Sequence, residues 1–151
     1  MMQGTLLGFD FGVRRIGVAV GETSTRIASP LGAIESEANE VRFREIGKLV
    51  DEWKPAAFVV GRPRHSDGAE HEIAKLAQRF ARRLSAKYAL PVVFVDETLS
   101  SSAAESALRG NRTRAKRRSD IDAMAATLIL QSFLDDPLSG ERGPGKRGVS
   151  A

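Results

Sequence analysis

Apolar positions along the chain alternate between short continuous runs and helical spacing, and the alternation marks out the elements. Leu6-Leu7-Gly8-Phe9 and Ile16-Gly17-Val18-Ala19-Val20 flank a short turn that carries Gly12, Arg14 and Arg15. They predict strands over Thr5–Phe11 and Ile16–Gly21. A third strand falls within Ile27–Ile34, where Pro30 suits a sheet edge or a strand start because it cannot donate to a ladder. Short turns between these three predict an antiparallel meander. Asn39 then offers a helix cap, and Phe43, Ile46, Leu49, Val50 and Trp53 recur at helical spacing up to Pro55. Trp53 reads as a core or helix-end anchor rather than a ligand-stacking ring.

Ala56–Val60 is a continuous apolar run, as in a strand buried on both faces, and it ends in the polar loop Gly61–Gly68. Ile73, Leu76, Ala77, Phe80, Leu84 and Tyr88 mark a second helix with Lys and Arg on its other side. Val92–Val95 is another buried strand, ending in Asp96-Glu97. Ser102 and Glu105 form a capping box for a short helix, Ala103–Leu108, and Arg109–Arg118 follows as a basic loop. Ile121–Leu134 is apolar almost all round, which predicts a buried helix. From Asp135 onward Pro and Gly interrupt the chain without apolar periodicity, so 135–151 reads as a disordered tail behind one domain at 1–134. The predicted class is α/β: a mixed five-stranded sheet, a three-strand antiparallel meander plus two parallel strands, with helices on both faces.

Composition removes several function classes. There is no cysteine, which excludes disulfides, zinc-thiolate sites and a cysteine nucleophile. No apolar run approaches a membrane span, and no secretory signal pattern opens the chain, so the expected location is the cytoplasm. The formal net charge of +4 is mild. Its distribution is informative, because the 109–118 stretch concentrates Arg and Lys and holds no acid.

In open α/β sheets, functional groups gather beyond the carboxyl ends of the parallel strands. Asp10 ends the first strand, Asp96-Glu97 ends the last, and Asp122 lies in the first turn of the final helix. Asp10 is the most unusual, since an unpaired carboxylate in an apolar run is costly. Asp122 also suits a helix cap with Ser119, and either member of Asp96-Glu97 suits an ordinary strand end. Taken together, converging carboxylates would repel one another unless divalent cations relieved them, and hard oxygen ligands suit Mg²⁺ or Mn²⁺. A pair of such ions about 3.5–4 Å apart is the two-metal arrangement for in-line phosphodiester hydrolysis. The basic residues agree with a nucleic-acid substrate. Arg112, Arg114, Lys116, Arg117 and Arg118 stand just ahead of Asp122, and Arg14 and Arg15 stand just after Asp10. Arg62, Arg64 and His65 are weaker candidates, and neither His65 nor His71 has metal-ligand spacing. Phe and Tyr sit mainly at core positions, which favours recognition of backbone and shape over base stacking.

Four motifs carry a family resemblance. They are Phe9-Asp10-Phe11-Gly12-x-x-Arg15-Ile16-Gly17-Val18-Ala19, Val60-Gly61-x-Pro63 with Asp67-Gly68, Asp96-Glu97-x-Leu99-Ser100-Ser101, and Asp122-Ala123-x-Ala125-Ala126. In order and spacing, from about Thr5 to Leu134, the chain resembles the YqgF family, described as Holliday junction resolvases or pre-16S ribosomal RNA nucleases. The resemblance implies a ribonuclease H-like fold. It also implies an acidic triad at Asp10, Glu97 and Asp122 that holds the metal, and maturation of the 5′ end of pre-16S ribosomal RNA. One departure stands out: Thr98 occupies a position where the family usually has Arg, so the resemblance does not carry over one phosphate or carboxylate contact, though the metal ligands are unaffected.

The leading expectation is therefore a metal-dependent endonuclease acting on structured RNA, as monomer or homodimer. A resolvase for four-way DNA junctions would keep the chemistry and require a dimer with two sites. A non-catalytic nucleic-acid-binding module is the third reading. The Asp10-x-Gly12 pattern also resembles the phosphate hairpin of sugar kinases and actin-like ATPases, but those enclose a nucleotide between two such domains.

Overall fold

The computed structural model describes residues 3–63, 69–97, 118–137 and 141–142; the side chains of Pro63, Ala69, Glu70, Glu97, Arg118, Ser119, Glu141 and Arg142 lie outside that description. The chain runs β1 (Thr5–Asp10), β2 (Arg15–Glu22), β3 (Ile27–Glu35), α1 (Asn39–Trp53), β4 (Ala57–Pro63), α2 (Ala69–Tyr88) and β5 (Val92–Glu97). It continues through α3 (Arg118–Asp135) and β6 (Glu141–Arg142). The sheet order is β3-β2-β1-β4-β5-β6. The meander β1-β2-β3 is antiparallel, and β4 and β5 run parallel to β1, as the pattern predicts. Pro30 lies on the edge strand β3, where register against β2 shifts between Val18 and Ala19. The predicted helix at Ala103–Leu108 and the basic residues at 109–117 lie outside the described residues.

Side chains alternate across the sheet and divide the core in two. Leu7, Phe9, Ile16, Val18, Phe58, Val60 and Phe94 pack against Ile46 of α1 and Phe80 and Leu84 of α2. Leu6, Ala19, Ala57, Val59, Val93 and Val95 pack against Ala126, Ile129, Leu130, Phe133 and Leu134 of α3. Helices thus cover both faces. Burying Ile129 or Leu130 in this way contributes about 1.5–3 kcal/mol each. α3 lies close to the sheet because the strands beneath it present small residues. A methyl carbon on Gly8 would fall 2.9 Å from Leu130 Cβ.

The structure adds one short strand to the five expected and moves one helix cap. The sheet has a sixth strand. Glu141–Arg142, inside the stretch read as disordered, pairs antiparallel with Val93 and Phe94 on the outer edge of β5. Two residues satisfy an exposed strand edge through backbone hydrogen bonds, which leave no apolar periodicity to read. Asn39 is also not the cap of α1. Ala38 holds that position, with no side-chain cap hydrogen bond. At the other end Lys54 turns left-handed and donates its N–H to the Val50 carbonyl, and Pro55 follows. Among the described residues, no helix is long and apolar enough to cross a membrane.

Candidate nuclease site

Asp10 is the last residue of β1. It pairs with Gly17 of β2 on one side and Gly61 of β4 on the other. By alternation it shares the α3 face with Leu6 and Gly8, so its carboxylate is flanked by two positions without side chains. Asp10 is half-buried and has polar interactions of its own.

α3 begins at Arg118, earlier than the expected Ile121, so Asp122 lies in its second turn rather than its first, and that turn packs over Gly17. A methyl carbon on Gly17 would fall 2.0 Å from the Asp122 carbonyl oxygen and 3.2 Å from Asp122 Cβ. Only a glycine admits the helix at this depth, because real Cβ atoms do not approach backbone below about 3.0 Å. Gly17 is the cross-strand partner of Asp10, so this close approach brings Asp122 beside Asp10 from more than 100 residues away in sequence. The Asp122 carboxylate accepts a hydrogen bond from Arg15 Nε at 2.7 Å, with the two side chains 20% and 29% exposed. Arg15 was expected to face substrate phosphate. The structure places it against a carboxylate of the site, where it offsets negative charge.

The other acid pair separates by face. Asp96 accepts from Arg62 Nε at 3.0 Å, and Arg62 stacks over the Phe94 ring at 5.2 Å, on the α1/α2 side. Alternation puts position 97 in line with Val93 and Val95, the α3 side. The pair thus resolves at backbone level into a structural Asp96 and a candidate at Glu97, whose side chain lies outside the described residues. Among the described residues, no group of three or more His, Asp or Glu stands ready to hold one ion. Asp10 and Asp122 supply hard carboxylate oxygens on adjoining elements, the donor chemistry that Mg²⁺ or Mn²⁺ takes.

Of the basic candidates, Arg14 is exposed on the β1–β2 turn. Arg118 opens α3 four residues ahead of Asp122, with its side chain outside the description. Arg112, Arg114, Lys116 and Arg117 lie outside the described residues, as do Arg64 and His65.

One residue escaped the sequence reading. Arg42 of α1 is 3% exposed. Its Nη2 donates to the carbonyls of Gly12 at 2.8 Å and Val13 at 2.6 Å, and its Nε donates to Ser36 at 2.5 Å. Its guanidinium stacks over Phe11 at 5.4 Å. It ties the turn that follows Asp10 to the end of β3 and the start of α1. Burial lowers its pKa from the ordinary value, and the nearby Glu37 carboxylate partly opposes that shift. The signal was in the spacing: position 42 continues the 46, 49, 53 stripe of α1, so an arginine there sits on the core side.

The pattern of the family described as "RuvX: Holliday junction resolvase" matches residues 4–136. The chain belongs to the RuvX family. Among similar proteins, one from Paraburkholderia phytofirmans, named "Putative pre-16S rRNA nuclease", is 49% identical over 133 residues, 88% of this chain and 89% of the relative. A protein of the same name from Dechloromonas aromatica is 50% identical over 136 residues, 89% and 93% of the two chains. Among solved structures, Thermus thermophilus RuvC in complex with a Holliday junction superposes with a TM-score of 0.59 at 16% identity, covering 92% of this chain and 99% of that one. The Fowlpox virus resolvase bound to junction DNA gives 0.56 at 10% identity, covering 89% and 99%. At these identities the structures establish the shared ribonuclease H-like fold.

Proposed function

We propose that this RuvX-family protein is a metal-dependent endonuclease that processes the 5′ end of pre-16S ribosomal RNA, with Asp10, Glu97 and Asp122 as its acidic triad. The observation that carries the reading is the seating of Asp122 over Gly17, the cross-strand partner of Asp10. Two relatives near half identity, named as pre-16S rRNA nucleases, support the substrate.

Asp10 and Asp122, with Glu97 from the end of β5, would hold one or two Mg²⁺ or Mn²⁺ ions. When bound, such ions activate a water for in-line attack and neutralise the charge on the leaving oxygen. The chain's own residues prepare that chemistry. Gly17, beside Asp10 on β2, admits the α3 backbone that carries Asp122, and Gly61 puts no side chain beside Asp10 on β4. Arg15 holds the Asp122 carboxylate in place and offsets the repulsion between two neighbouring acids. Arg42 fixes the turn after Asp10. Arg14, with the basic run at Arg112, Arg114, Lys116, Arg117 and Arg118, supplies phosphate contacts that position the strand without reading its sequence.

A second reading is favoured by the family description as a Holliday junction resolvase. It keeps the acids and changes the substrate to a four-way DNA junction cut by a symmetric dimer. The test is cleavage of a pre-16S RNA fragment and a junction DNA side by side, with Mg²⁺ and with Mn²⁺. The RNA should be cut at its 5′ side, and Asp10→Asn should lower the rate by at least about a hundredfold, the scale of losing one transition-state stabiliser. Junction cleavage without RNA cleavage would move the substrate to DNA. Undiminished cleavage by Asp10→Asn would remove the site itself.

A further inference from the structure

A second feature lies at the same end of the sheet, on the opposite face from α3. A cavity of about 210 Å³ opens beside the β1–β2 turn, lined by Phe11, Val13, Asn39, Arg42, Arg79 and Arg83 among others. Its wall begins at Phe11, the residue after Asp10. Phe11 and Phe80 form the apolar floor, with ring centroids 5.2 Å apart.

The charge around this cavity is unbalanced. Arg79 and Arg83 are exposed and stand four residues apart on α2, the spacing at which like charges face each other and repel. Among the described residues neither makes an ion pair or hydrogen bond. Arg42 adds a third positive charge in the wall, and Glu37 is the one acid among the lining residues. Arg42 is already committed to the carbonyls of Gly12, Val13 and Ser36, which leaves the two α2 arginines as the cavity donors without a partner among the described residues. Folding alone gives no reason to gather three guanidinium groups around a hollow, whereas a bound anion does.

The position of the cavity selects the anion. Between Asp10 and the cavity lies only the turn, whose exposed residues are Val13, 45% exposed, and Arg14. A polyanionic strand at Asp10 that crosses this turn passes Arg14 and reaches Arg79 and Arg83. We propose that the cavity is a backbone-phosphate site for the substrate strand flanking the cut, with Arg79 and Arg83 as its contacts and Arg42 holding its wall. This rests on the nuclease reading above and extends it to the other side of the sheet.

The test is equilibrium binding of a fluorescently labelled RNA hairpin by the full chain across a salt series, in EDTA so that no metal-dependent cutting occurs. Arg79→Gln with Arg83→Gln should weaken binding and make the log–log salt slope shallower by about 1.4–1.8, the release expected for two lost phosphate contacts. The control pair is Arg82→Gln with Lys87→Gln, which removes the same charge from exposed positions of α2 outside the cavity. The control slope should change by less than half as much. Equal slopes in the two pairs would overturn the proposal, leaving only a diffuse charge effect. A calorimetric titration with inorganic phosphate separates the sources of the anion. If Arg79→Gln/Arg83→Gln abolishes phosphate binding while the RNA slope is unchanged, the strand assignment is overturned. Loss of RNA slope in the cavity pair upholds it even if cleavage assays assign the cut to another acid. An unaltered chain that binds no RNA would overturn both readings.

Discussion

Among the described glycines, Gly17 makes the most exacting demand. It has no side chain because the Asp122 carbonyl occupies the space a Cβ would need. Gly17→Ala must therefore push the turn of α3 that carries Asp122 off the sheet. The expected cost is about 1–3 kcal/mol, as for overpacking, with loss of cleavage, because Asp122 moves with the turn. Urea denaturation and single-turnover cleavage read the two effects separately. Arg42 makes a different demand. Its planar fork serves three carbonyls on two segments, which a lysine cannot reproduce. Arg42→Lys should cost about 1–3 kcal/mol for carbonyls left unsatisfied, read as a lower denaturation midpoint. An unchanged midpoint would mean that the turn holds itself. Asp10 was legible in the sequence because a carboxylate inside an apolar run is conspicuous. Arg42 was legible only as a charge at a helix core position. The Arg15–Asp122 ion pair was not legible, because it joins residues 107 apart and depends on where α3 lands.

At the scale of elements, the strands and helices follow from apolar period and from Pro and Gly punctuation. The run Ala56–Val60 becomes β4 in the middle of the sheet, paired on both sides, as its continuous apolar character requires. The near-uniform apolar character of 121–134 becomes α3, which packs on β1, β2 and β3. What sequence could not carry was β6. A two-residue ladder on the β5 edge is a backbone event, fixed by where the chain returns rather than by its side chains. Deleting residues 138–151 should therefore leave the core intact, with a small change in stability. It should also expose the β5 edge, read as increased self-association in light scattering at high concentration. A deletion that stays monodisperse would show that β6 does not guard this edge.

For the whole molecule, the proposed function would depend on convergence at one end of the sheet. β1 ends in Asp10, β5 ends in Glu97, and α3 carries Asp122 over the Asp10 partner Gly17. The turn after β1 separates Asp10 from the arginine-lined cavity on the other face. The fold class, the meander with two parallel strands and the sheet-end location of the acids were all readable in advance, since each follows from local pattern plus strand order. Their mutual placement was not, because it is set by glycine-permitted contact between α3 and β2.

If Asp10 and Asp122 work as one site, a double-mutant cycle on single-turnover RNA cleavage reveals their coupling. Asp10→Asn and Asp122→Asn should each reduce the rate severely, and the double variant should be no slower than the slower single variant, as for groups that act as a unit. Losses that multiply in the double variant, or a single variant that cuts at the original rate, would contradict the account.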